Sequence, residues 1–347
     1  MNVNINERTI LNRQLHIKYL LRFLDKIPAE FVSCDTTRIT LVYFVISSLD
    51  VLNSLDAIDK QKRESIIEWI YSLQVEDDEE LVSGFQGSST VNTTYNRDSN
   101  SLYKWSHLAG TYCGLCSLII LGDDLRRVNR KAIINSLKIL QLPNGCFTGA
   151  KEGTENDMRF LFMAANVSYL LKDWSAIDVT KAVEFIQSSI SYDHGIAQGP
   201  DLESHGGSTY CAVATLALCN KLDVLDKAQV GGLSRWLLNR QVTGFQGRPN
   251  KPIDTCYSFW VGAALKILDA FHLSNYEDNR SFVLATQNNI VGGFSKWVNT
   301  FCDPLHTYLG LAGLSLMGEN GLNEIVPMLN ITYRALDHLK CIHGYWS

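Results

Sequence analysis

The stretch QVTGFQGRPNKPIDTCYSFWVGAALKIL, residues 241–268, holds one complete unit of the chain. It opens on Gln241, turns at Gly244-Phe245, and ends in a run from Asp254 to Leu268 that is apolar on nearly every side. Working outward, the turn recurs as Gly145-Cys-Phe147, Gly195-Ile-Ala197 and Gly293-Phe294, in steps of 50, 49 and 49 residues. A weaker first copy, Gly84-Phe85, lies 61 residues before Gly145. A glutamine precedes each turn: Gln74, Gln141, Gln187, Gln241 and Gln287. A fixed period of this length marks a repeat architecture.

Apolar runs follow the turns, beginning at His107, Asp157, His205, Asp254 and His306. Their lack of a polar face marks buried helices. Between them, stretches such as 128–141, 179–190 and 227–240 alternate apolar and polar residues at helical spacing and read as outer helices. An N-terminal pair around 15–73 adds one more unit. Repeated helix pairs form an open solenoid or a closed ring. All-round apolar inner helices favour closure, so the expected fold is all-α: an α/α barrel, or α6–α6 toroid, of repeated helix pairs. No low-complexity linker interrupts it, and residues 1–347 are expected to form one domain. The polar segment 88–104 is expected to be a loop.

The composition agrees: 7 prolines, 19% charged residues, 46% hydrophobic residues and a net charge of −5. Scarce proline suits helices, and mild acidity argues against a nucleic-acid binder. Low charge on a long chain points to extensive buried surface. No run reaches the ~18 apolar residues of a membrane span. The first 30 residues are amphipathic rather than a signal peptide, and nine scattered cysteines fit a reducing compartment. The expected location is cytoplasmic.

The helix starts carry the chemistry. His107, Asp157, His205, Asp254 and His306 recur in steps of 50, 48, 49 and 52 residues. Parallel inner helices would gather these side chains at one mouth. The competing reading is N-capping, for which Asp is suited and His is not. Asp254, Cys256 and His306 offer a carboxylate, a thiolate and an imidazole. Such a set suits Zn²⁺ with a fourth position open for catalysis. Arg248 and Lys251 would project beside His205 and the Tyr257 hydroxyl, near helix N-termini that favour anions. That is the chemistry of a phosphate or diphosphate site, the alternative being a solvated turn. Trp260, Tyr210, Phe160, Phe162, Tyr112, Phe147 and Tyr308 lie on or beside inner helices, mostly as core, with some able to line an apolar pocket. A metal, an anion site and an apolar tunnel together suit a lipid diphosphate and a thiol.

Five segments carry a resemblance: GTENDMRF (153–160), LESHGGSTYC (202–211), GRPNKPIDTCYSFW (247–260), GGFSKW (292–297) and DPLHTY (303–308). Over roughly residues 30–335 the chain resembles the β subunits of protein prenyltransferases, and within them geranylgeranyltransferase type I. The resemblance implies zinc ligands at Asp254, Cys256 and His306. It implies diphosphate contacts at His205, Arg248, Lys251 and Tyr257, an isoprenoid-facing Trp260, and Arg159 near the lipid and the peptide carboxylate. Thr40 stands where farnesyltransferases have tryptophan, which implies room for a fourth isoprene unit. Lys296 stands where they have a magnesium-binding aspartate, which implies no magnesium requirement. Phe44 and Leu305 would line the peptide pocket. Leu309, where type I relatives often have phenylalanine, departs from the pattern and would loosen selectivity for the last peptide residue. The implied partners are an α subunit, geranylgeranyl diphosphate and CaaX C-termini such as those of Rho/Rac-type small GTPases.

Within the family, farnesyltransferase and Rab geranylgeranyltransferase β subunits are the alternatives. A terpene cyclase needs a DxDD acid, and neither Asp77-Asp78-Glu79-Glu80 nor Asp123-Asp124 has that spacing. A non-enzymatic scaffold would not need Asp, Cys and His at matched phases. Cys113 and Cys116 have redox spacing but lie in an apolar helix and read as core.

Overall fold

The computed structural model describes residues 10–75, 82–91, 105–151 and 155–346. The acidic run Asp77–Glu80 and most of the polar 88–104 segment lie outside the described residues. Among the described residues, helices alternate in six outer–inner pairs. These are α1 (Arg13–Asp25) with α2 (Arg38–Val51), and α3 (Lys60–Ser72) with α4 (Leu108–Leu121). Next come α5 (Arg130–Leu140) with α6 (Met158–Leu170), and α7 (Val179–Ser188) with α8 (Gly206–Leu218). Last are α9 (Lys227–Leu238) with α10 (Tyr257–Ile267), and α11 (Tyr276–Ala285) with α12 (Pro304–Leu316). A thirteenth, α13 (Tyr333–Tyr345), follows. The expected pair at 15–73 is corrected here. α1 and α2 are the first pair, and α3 already belongs to the next.

Each inner helix packs on the following one, and α12 returns to α2, so the ring closes. The repeated signature explains the outer ring as well. Gln74 pairs with Phe85, Gln141 with Phe147, Gln241 with Phe245 and Gln287 with Phe294 across the turn, while Ile190 pairs with Ile196 in the remaining unit. All five apolar partners are fully buried. The turn thus drives an apolar side chain into the core: Phe85 lies beside Gly114 of α4, and Phe294 beside Gly310 of α12.

Four of these glutamine side chains then reach sideways to the backbone at the start of the next outer helix. Gln74 accepts from Asn129 N, Gln141 from Asp178 N and Gln241 from Asn275 N, at 2.8–3.0 Å. Gln287 accepts from Asn12 N at 3.2 Å, which clasps the last unit to α1 and closes the outer ring. Each such bond contributes about 1 kcal/mol.

The C-terminal segment seals one end of the ring. A helix leaves its last carbonyls unpaired, and here the segment supplies donors to them. Asn323 N reaches Val51 O of α2, Arg334 Nη2 reaches Ile120 O of α4, and His343 Nε2 reaches Leu170 O of α6. Buried Asp50 binds Arg334 Nε and the Thr332 hydroxyl, both at 2.6 Å. Inside, rings from every inner helix form a belt: Tyr43, Tyr112, Phe162, Tyr210, Trp260 and Tyr308, with neighbouring centroids 5.1–5.9 Å apart where they touch. Tyr43 and Tyr308 both donate to Asn330 O, and Tyr210 donates to Pro327 O. The belt rests on the C-terminal plug. The other end, where the inner helices begin, carries the site.

Candidate active site

Four of the five phase-matched residues share one backbone device. The side chains of His107, Asp157, His205 and Asp254 each accept from the amide two residues ahead, at 2.9–3.2 Å. Capping and a shared mouth are therefore not alternatives, and the expectation that histidine is unsuited to the role is corrected: a β-region backbone brings imidazole Nδ1 onto the amide just as it would a carboxylate oxygen. His306 differs. It is the third residue of α12, and Asp303 is the cap.

Asp254, Cys256 and His306 converge although 50 residues separate Cys256 from His306. One ligand atom from each lies within 4.8 Å of the others. The group sits where α10 and α12 pack side by side. Asp254 and Cys256 are buried, and His306 is nearly so. Burial works against the Asp254 charge, but hydrogen bonds from His306 and Cys256 outweigh it and hold its pKa below the ordinary carboxylate value. Burial, with the Asp254 carboxylate beside it, pushes the Cys256 thiol well up. Burial disfavours a charged His306, yet the Asp254 and Asp303 carboxylates raise it to about 9. A divalent cation among the three groups would oppose the upward shifts of Cys256 and His306 and add to what already keeps Asp254 charged. The carboxylate, thiol and imidazole donors fit zinc.

Lys296 Nζ lies 3.7 Å from Asp254 Oδ2 and is half exposed. Arg248 is gripped by Glu203, a partner that the sequence did not single out. Lys251 is exposed on the turn that Arg248 begins. Arg159 pairs with Glu155 and Asp157, each at 2.7 Å.

His205 and Tyr257 form a unit. His205 Nδ1 accepts from Gly207 N at 3.1 Å, and burial, with Arg248 nearby, lowers the imidazole pKa. A neutral ring with Nδ1 occupied as acceptor carries its proton on Nε2. It therefore donates to the Tyr257 oxygen, 2.9 Å away, and leaves the phenol proton free for an acceptor in the mouth. Gly247 makes this possible: a Cβ there would lie 2.2 Å from Tyr257 Cζ.

Toward the interior, Trp260 is half buried, with its ring 5.1 Å from that of Tyr210. Thr40, on α2, lies 3.9 Å from Cys113 Sγ on α4. The Phe44 ring lies tilted 6.1 Å from that of Tyr308, Leu305 is half buried and Leu309 is fully buried. All nine cysteines are free thiols, including Cys113 and Cys116 in the core. The residues that sequence reasoning missed are Asp303, Glu203 and Gly247. The Asp-Pro-x-His spacing of 303–306, a cap followed by proline at the first helical position, was the available signal for the first.

Comparison with known proteins agrees with this geometry. The model of the prenyltransferase alpha-alpha toroid domain matches residues 11–331. The chain is 37% identical to the geranylgeranyl transferase type-1 subunit beta of Dictyostelium discoideum, over 94% of this chain and 96% of that one. It is 36% identical to the Arabidopsis thaliana counterpart, over 91% and 88%. The solved Candida albicans protein geranylgeranyltransferase-I, complexed with GGPP, superposes with a TM-score of 0.87 at 28% identity, covering 96% of this chain and 99% of that one. No helix among the described residues is long and apolar enough to cross a membrane. A closed six-pair toroid with this mouth, and relatives matched along nearly their whole length, place the chain in the protein prenyltransferase β-subunit family, with the type I geranylgeranyltransferases.

Proposed function

We propose that this chain is the catalytic β subunit of a zinc-dependent protein geranylgeranyltransferase type I, which transfers geranylgeranyl from its diphosphate to the cysteine of C-terminal CaaX motifs with leucine preferred last. The observation that carries the reading is the Asp254, Cys256 and His306 donor set beside the Arg248, Tyr257 and Lys296 cluster. Asp254, Cys256 and His306 would hold zinc. The chemistry a zinc ion supplies there is Lewis acidity that lowers the pKa of an incoming thiol into the neutral range.

The chain's own groups do the rest. Arg248, Lys251 and Lys296 hold the diphosphate, and the Tyr257 phenol, oriented by His205, donates to the oxygen that leaves. The sulfur–carbon bond forms at carbon 1 of the lipid as its carbon–oxygen bond breaks, and the thiol proton passes to solvent. Charge building on the departing diphosphate meets donors already in place. The Lys296 ammonium supplies neutralisation that otherwise falls to magnesium, so no magnesium is required. Trp260 and the aromatic belt line the lipid's path, Thr40 leaves space for its last unit, and Arg159 lies toward the peptide carboxylate. An α subunit completes the enzyme, whose substrates include Rho/Rac-type C-termini and whose location is cytoplasmic.

The test is a competition. The chain, co-expressed with its α partner, receives a CaaL peptide and equal geranylgeranyl and farnesyl diphosphates, with zinc and without magnesium. Mass spectrometry should find one geranylgeranyl group on the peptide cysteine. Farnesyl instead would overturn the role of Thr40. No transfer with zinc and partner bound would point to a Rab-type enzyme that needs an escort.

A further inference from the structure

We infer that Asp303 is a positioning residue for the metal centre, fixing the His306 imidazole so that Nε2 faces the space shared with Asp254 and Cys256. The inference rests on the zinc reading above. Asp303 divides its two oxygens between two tasks. Oδ1 caps α12 by accepting His306 N at 2.9 Å, and Oδ2 accepts from His306 Nδ1 at 2.6 Å. The second bond orients the ring and leaves Nε2 3.3 Å from Asp254 Oδ1.

The comparison within the molecule makes the case. His107 and His205 cap their own helices, so each commits Nδ1 to a backbone amide two residues ahead. In the last unit the cap moves three residues upstream to Asp303, and His306 is relieved of that duty. Its Nδ1 is then free to donate to a carboxylate, which makes Nε2 the ligating nitrogen and raises its basicity. Asp303 is itself held rigidly. Its backbone pairs with Phe294 in a two-residue antiparallel ladder, and Pro304 begins the helix directly after it. Metal-ligating histidines are commonly held by a carboxylate in this way, and here the same carboxylate also sets the start of the helix.

Serine separates the two tasks, because it caps a helix well but is too short to reach Nδ1. The complex with the α subunit is prepared as native, Asp303→Ser and Asp303→Ala. Three quantities are read: zinc affinity by competition with a chromophoric chelator, the visible spectrum after cobalt substitution, and the melting temperature. Asp303→Ser should melt like native, bind zinc about 10- to 100-fold more weakly and show an altered cobalt ligand-field band. Asp303→Ala should lose zinc affinity and melt lower as well. If the serine variant does not assemble, Asp303→Asn, with one carbonyl oxygen for two N–H donors, should show the same loss of affinity. A variant that assembles yet matches native in zinc affinity and cobalt spectrum overturns the inference while the metal reading stands. A native complex that takes up no zinc overturns both.

Discussion

Gly247→Ala perturbs the proposed diphosphate mouth through a single methyl group. The added Cβ would lie 2.2 Å from Tyr257 Cζ and 2.3 Å from its hydroxyl oxygen. Carbon atoms pack at about 3.5–4.0 Å, so the ring edge must withdraw by more than an ångström. The phenol sits 2.9 Å from His205 Nε2, and a displacement of that size takes the pair out of hydrogen-bonding range. Gly247 has no left-handed backbone angle, so alanine adds no backbone strain, and the effect runs through Tyr257 alone. The lost hydrogen bond costs about 1 kcal/mol. In the proposed mechanism the larger effect is kinetic, because the phenol proton would no longer point at the leaving oxygen. Loss of one pre-aimed donor costs about 2.7–4 kcal/mol, roughly 100- to 1,000-fold in rate. The assay is single-turnover transfer to a CaaL peptide, with zinc content measured in parallel. Gly247→Ala and Tyr257→Phe should each be slow and zinc-replete, and the double variant should be no slower than Tyr257→Phe alone. Losses that multiply in the double variant, or a native rate in Gly247→Ala, would refute the reasoning.

Other outcomes follow from the same groups. His306 is held up to about 9 and the Cys256 thiol lies above its ordinary value, so both carry protons at pH 7 and both must release them to bind a metal. Zinc affinity should therefore rise with pH, by about two logarithmic units per pH unit between pH 6.5 and 8.5; a chelator titration with a slope below one contradicts this. Glu203→Gln frees Arg248 from a half-exposed ion pair worth at most about 1 kcal/mol. Equilibrium binding of a fluorescent lipid diphosphate should tighten up to about fivefold, and weaker binding would show that Glu203 supports the site instead. Asp50→Ala strips partners from Thr332 and Arg334. Because Arg334 is partly solvated, urea unfolding should register a loss of about 2–3 kcal/mol, and a loss under about 0.5 kcal/mol would mean that the plug does not depend on this contact.

Much of this was legible because the repeat imposes one local structure on each unit. The glycine–aromatic turns, the apolar inner helices and four of the five polar residues at their starts landed in register. The glutamines were visible as a series but not understood. Their purpose is to clasp the following helix, and that partner lies 34 to 55 residues ahead, or 275 residues back in the case of Gln287 and Asn12. His306 was placed one turn too early, because a 52-residue step looks like its neighbours until the Asp303 cap is seen. Glu203 and Gly247 carry no signal in isolation. Their roles come from what stands opposite them.

The sequence by itself determined the unit: which segments are helices, which of them are buried, and which residues stand where a helix begins. Those are matters of periodicity and turn chemistry, read over a dozen residues at a time. Closure of the ring, the plug that blocks one end, and the meeting of Asp254 and Cys256 with His306 were decided only by the tertiary structure. They depend on packing between inner helices whose contacts, α12 on α2 above all, span most of the chain. The same packing withdraws water from Cys256 and His306 and sets their carboxylate neighbours around them. Their proton affinities are therefore properties of the folded mouth and not of the residues that supply it.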